Sequence, residues 1–95
     1  MHGLLNANAD EKSKAEKRRA RTATAIDAYI GERIRERRHE LEISQHALAK
    51  VLGVSFQQIQ KYESGQNRVS AGRLFDICKV LNVSLASMLE RDPQA

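Results

Sequence analysis

Gln57, Gln58, Gln60 and Lys61 crowd the stretch SFQQIQKYE, with no carboxylate until Glu63. A glutamine amide places a donor beside an acceptor, which is the pairing that meets N6 and N7 of an adenine. Such a bidentate contact discriminates between bases by about 1–3 kcal/mol. Lysine favours guanine O6 and N7 or a phosphate, and the ring of Phe56 can press on a thymine methyl. The chemistry these residues suit is reading a groove lined with donors and acceptors. Gln57 ranks first as a reader, because Gln58 is also placed to cap the start of the same segment.

Residues that would carry catalysis do not converge. Ser44, Ser55, Ser70 and Ser84 each stand at a predicted helix start, where capping accounts for them. His39 and His46 fall on different predicted helices and His2 near the N-terminus, without the cysteine or carboxylate set a metal needs. Cys78 is the single cysteine; it excludes an intramolecular disulfide and lies on an apolar helix face, as a core thiol does. No glycine-rich phosphate loop or nucleophile elbow occurs. The chain is read as a non-enzyme with neither cofactor nor metal.

The elements that must hold the glutamines follow from spacing. Ser44 caps a helix over 45–52 and Ser55 a second over 56–64, with Gln58 completing a capping box. Gly53 ends the first and Gly65 the second, each suited to the left-handed conformation. Leu48, Ala49 and Leu52 form one inward stripe, Ile59 and Tyr62 the other. Ala49 is small where the two helices must touch. Two short helices joined by so tight a turn make a helix-turn-helix, whose second helix presents side chains to a major groove.

Around this unit, Asp27 is expected to cap a helix over 28–41 that buries Ile30, Ile34 and Leu41, with Arg37 or Arg38 covering the gap. Ser70 caps a helix over 71–81 with Leu74, Ile77, Cys78 and Leu81 inward, and Asn82 closes it in the left-handed region. Ser84 opens a last short helix, and Pro93 marks the end of structure. The predicted fold is all-α, a compact bundle of about five short helices. It divides into a basic N-terminal arm over 1–26, flexible or partly helical, a domain over 27–90 and a tail over 91–95.

The net charge is +4 with pI near 9.6. Lys12, Lys14, Lys17, Arg18, Arg19 and Arg21 oppose only three acidic residues before Asp27, so most of the excess sits in the arm. That suits a polyanion partner. The arm is either a solvated tail or a basic strap along phosphates or in a minor groove. No apolar run reaches the length of a membrane span or signal peptide. No membrane partner is therefore expected, and a cytoplasmic, nucleoid-associated protein is.

From about Tyr29 to Leu89 the chain resembles regulators of the phage-repressor and Cro type, also called XRE. IGERIRERR, LAKVLGVS, IQKYESG and RLFDICKVLNV carry the resemblance. It implies a lambda-repressor-like domain of bacterial or phage type that binds double-stranded DNA as a two-fold homodimer on a pseudo-palindromic operator. Phe56, Gln57, Gln58, Gln60 and Lys61 are then the base readers. Phosphate contacts are expected at helix N-termini, Ser44 and Ser55 among them. Gln45 matches a family position that holds a phosphate; Asn67 and Arg68 match a second backbone-contact region, with Arg73, Lys50 and Ser70 weaker. Arg38 and Glu63 match a family ion pair that fixes the second motif helix. Leu85, Met88 and Leu89, with Phe75 and Val83, are the apolar residues available for a dimer seam, unless Leu85 and Leu89 complete the core. Only Glu90 to Ala95 follow, so no small-molecule effector domain is expected. The competing expectation is a protein-interaction module on the same fold: an antitoxin, coactivator or anti-repressor.

Overall fold

The computed structural model describes residues 9–90, and side chains from residue 25 onward. Within that span it is all-helical: α1 (Ala9–Glu40), α2 (Gln45–Leu52), α3 (Phe56–Ser64), α4 (Ala71–Val80) and α5 (Leu85–Leu89). Residues 1–8, the tail over 91–95 with Pro93, and the basic side chains of the arm lie outside what is described.

Each helix after the first opens on a serine whose hydroxyl accepts from the N–H three residues on. Ser44 takes Ala47, Ser55 takes Gln58, Ser70 takes Arg73 and Ser84 takes Ser87, at 3.0–3.1 Å. Each cap satisfies one orphan donor of a first turn. The return bond from Gln58 to the Ser55 N–H, the other half of a capping box, is not formed among the described residues.

α2 and α3 stop at Gly53 and Gly65, both at positive φ (71° and 78°). α1 and α4 stop in the same left-handed way without glycine. Glu42 takes φ 56° and Asn82 φ 49°, while Ile43 N–H reaches Arg38 O and Val83 N–H reaches Cys78 O, each at 3.0 Å. These are Schellman closures, in which the N–H beyond the left-handed residue returns to the last turn.

The start of α1 differs from expectation. Asp27 does not cap it; the helix continues unbroken from Ala9, through a segment whose Ala, Lys, Glu and Arg all favour helix. Asp27 instead accepts from Arg68 Nε at 3.2 Å. Leu41, placed in the buried stripe by its spacing, is exposed, because α1 ends at Glu40 and the chain turns there.

The core draws on every helix. Ile34, Leu48, Ala49, Ile59, Leu74, Ile77, Cys78, Leu81 and Met88 are buried, ringed by half-buried Ile30, Ile43, Leu52, Val54, Tyr62, Val69, Val80 and Val83. Full burial of one such aliphatic side chain is worth about 1.5–3 kcal/mol. Burial pushes the Cys78 thiol pKa up from its ordinary value, which keeps it protonated and a poor nucleophile. Leu85 and Leu89 do not complete this core; they remain 39% and 43% exposed on α5, beside buried Met88.

Three polar side chains of α1 lash the C-terminal helices down. Arg37 donates to Leu81 O (2.9 Å) and Asn82 O (3.1 Å), and Arg33 to Ser87 O (3.2 Å). Tyr29 Oη donates to Glu90 O. The three stand four residues apart, on one face of α1, and donate to carbonyls in and around the last turns of α4 and α5.

Gly72, in the first turn of α4, has nothing within 4 Å of where a Cβ would stand. Gly72→Ala is therefore expected to stabilise the domain by about 0.4–1 kcal/mol, by restricting the unfolded chain. A denaturant midpoint at or below the parent's would count against that.

Candidate nucleic-acid interface

α3 turns Ile59 and Glu63 inward and leaves Gln57, Gln60 and Lys61 exposed. Gln57 and Lys61 stand one helical turn apart, opposite the buried pair. Gln58 is half-buried. Of the expected readers, Gln57, Gln60 and Lys61 are thus exposed together, and Glu63, the one carboxylate of α3, is turned away from them.

The angle of that surface is fixed from behind. Arg38 of α1 meets Glu63 in a bidentate pair, Nε to Oε2 at 2.7 Å and Nη2 to Oε1 at 2.9 Å, with side chains only 8% and 4% exposed. The planar fork matches the carboxylate, so both oxygens are used. Arg38 Nη1 also donates to Ile43 O at 2.9 Å, and Gln45 Nε2 to Glu63 Oε1 at 3.0 Å. One carboxylate thus ties the ends of α1 and α3 to the start of α2. No buried side-chain polar atom lacks a partner among the described residues, as a buried charged network requires.

Backbone packing adds a second constraint. A Cβ on Gly31, in the C-terminal half of α1, would lie 2.4 Å from Tyr62 O and 2.5 Å from Glu63 O. One on Gly65 would lie 2.6 Å from the Cα of Ala28. The last turn of α3 and the residue that ends it therefore rest directly on the α1 backbone.

The expected phosphate-binding residues are not all equally available. Ser44 and Ser55 are exposed, each with its oxygen accepting from the backbone but its hydroxyl proton uncommitted. Gln45 uses one amide proton on Glu63 and keeps the other. Asn67 is half-buried, its N–H donating to Lys61 O at 3.1 Å. Arg68 is exposed and spends only Nε on Asp27, leaving both terminal nitrogens. Arg73 plays a structural part, since its Nη1 donates to Leu52 O at 3.1 Å and joins α4 to the end of α2. Lys50 and Ser70 are exposed.

Phe56, expected to be available to a base, does not stand free: its ring is stacked on that of His46, a contact the spacing did not show. Phe75, expected among the residues available for a seam, is 54% exposed on α4, with Lys79 Nζ 5.3 Å from its ring centroid. Among the described residues no three His, Cys, Asp or Glu side chains gather as a metal site would require, and no helix is long and apolar enough to cross a membrane.

A helix-turn-helix family model matches residues 34–88, from the later turns of α1 through α5. A protein of Rhodospirillum rubrum named as an uncharacterized transcriptional regulator in the ATPase CF(0) region is 54% identical over 78 residues, covering 78% of this chain and 72% of its own length. An uncharacterized HTH-type transcriptional regulator of Sinorhizobium fredii is 51% identical over 82% of this chain and 54% of its own. The HTH-type transcriptional regulator DicA of Escherichia coli is 42% identical over 58% of this chain and 41% of its own. Apart from the first, the chain spans about half the length of these relatives. No solved structure matches it.

Proposed function

The chain belongs to the XRE-type helix-turn-helix family, and we propose that it regulates transcription by binding double-stranded DNA sequence-specifically, with α3 in the major groove. One observation carries the reading most directly: α3 holds Gln57, Gln60 and Lys61 outward on a helix whose inner face is clamped by the Arg38–Glu63 pair. A rigid, carboxylate-free row of hydrogen-bonding side chains suits base edges. Gln57 and Gln60 read bases, Gln58 reads from the margin, and Lys61 takes guanine or a phosphate. Ser44, Gln45, Ser55, Asn67 and Arg68 hold phosphates on either side. The basic residues before Asp27 add sequence-independent attraction to the same polyanion.

A two-fold dimer would set two α3 helices about 34 Å apart, one turn of duplex, and so favour a pseudo-palindrome. Exposed Leu85 and Leu89 on α5 supply apolar area for its seam, as does exposed Phe75 on α4. This arrangement needs no cofactor and no bond making.

Selection of bound sequences from a random duplex pool tests the proposal, since it yields the site, its symmetry and half-site spacing together. Gln57→Ala is expected to relax preference at one position per half-site, by about 1–3 kcal/mol in discrimination. Arg68→Ala should weaken binding evenly on all duplexes and flatten the salt dependence by roughly one charge. Equal losses on every duplex from the glutamine change would assign the reading elsewhere. Recovery of no preferred duplex, with a partner affinity indifferent to salt, would favour a protein-interaction module instead.

A further inference from the structure

His46 and Phe56 are ten residues apart, one in the first turn of α2 and the other opening α3. Their rings lie parallel, with centroids 4.0 Å apart and planes within 5°. Neither ring belongs to the core cluster or to the half-buried shell around it. His46 is exposed and Phe56 half-buried, so the stack spans the surface between the N-terminal ends of the two motif helices. That is the end by which a recognition helix meets base edges. One face of the Phe56 ring is covered by the imidazole, and the residue as a whole is half-buried.

We propose that His46 is a positioning residue for base reading: by stacking on Phe56 it holds the ring in the plane that meets a single thymine methyl. The inference rests on the DNA-reading assignment above. An unsupported phenylalanine on a helix surface turns about two torsions, and ordering it on binding subtracts from affinity. The imidazole does that ordering in the free protein. It also confines the ring to one contact, so that Phe56 distinguishes one base pair instead of brushing several. His46 itself touches no base in this scheme; its effect passes through Phe56.

The test uses the full chain and its selected duplex, with each thymine of a half-site replaced in turn by deoxyuridine, which removes only the methyl. In the parent, one thymine should show a loss of about fourfold in affinity, the size expected for one buried methyl group. His46→Ala should abolish that loss, at a temperature where the variant is fully folded, while leaving the preference read by Gln57 in place. His46→Tyr, which keeps a flat ring, should restore it. If His46→Ala retains the same loss at the same thymine, or the parent shows no methyl-dependent thymine, the proposal is overturned while sequence-specific binding stands. A parent that selects no duplex overturns both.

Discussion

Glu63→Ala is expected to melt on the order of 12 °C or more below the parent chain. The substitution removes a carboxylate and leaves the Arg38 guanidinium in a site where its side chain is 8% exposed, with Ile43 O as its remaining strong acceptor. Breaking a buried pair in this one-sided way costs about 3–5 kcal/mol, and a domain of this size shifts by about 4–8 °C per kcal/mol. Gln45 loses its acceptor as well, so α2 is loosened along with α1 and α3. The double variant Arg38→Met/Glu63→Leu should recover much of the loss, since neither charge is then stranded. Thermal unfolding followed by circular dichroism checks both; a single variant that melts with the parent would remove the pair from any role in the fold.

Gly31→Ala should separate stability from recognition. By helix propensity alone the change would stabilise an interior helical position by about 1 kcal/mol. The site decides otherwise, because the added carbon would stand 2.4 Å from Tyr62 O and 2.5 Å from Glu63 O. Both obstacles are backbone, so no rotamer change relieves them, and α3 itself must move. Overpacking of this kind costs about 1–3 kcal/mol. The displaced element is the one that carries Gln57, Gln60 and Lys61. The ratio of specific to random duplex binding is expected to fall at least about tenfold, the loss of one bidentate base contact, even at temperatures where the variant is fully folded. Competition binding at low temperature measures it. An unchanged ratio would mean that α3 is not aligned by its contact with α1. The opposite sign expected for Gly72→Ala, where the space is open, shows that it is the neighbour and not the residue type that sets the outcome.

What could be read from the residue order was local. Serine caps, the two glycine stops and the inward stripes of α2, α3 and α4 depend on neighbours three or four positions away, and they stand where spacing puts them. Arg38 and Glu63 were matched through the family pattern, not through any local signal. The departures share a physical cause. Asp27 resembles a cap because little before it is apolar, yet good helix formers carry α1 back to Ala9. Leu41 fits the buried period but lies past the end of α1, where Glu42 turns the chain. Tyr29, Arg33 and Arg37 find their partners among carbonyls at Leu81, Asn82, Ser87 and Glu90, more than 40 residues away. His46 and Phe56 meet only because the turn at Gly53 folds two helix starts together. Gly31 gives one clue, a glycine amid good helix formers, but not what approaches it.

The shared carboxylate of Glu63 also bears on how such a chain can change over generations. Either half of the pair left alone is worse than both or neither, so replacement one codon at a time must cross a destabilised intermediate. Drift at these two positions is thereby hindered by the architecture itself, a constraint that the outward-facing glutamines of α3 do not share.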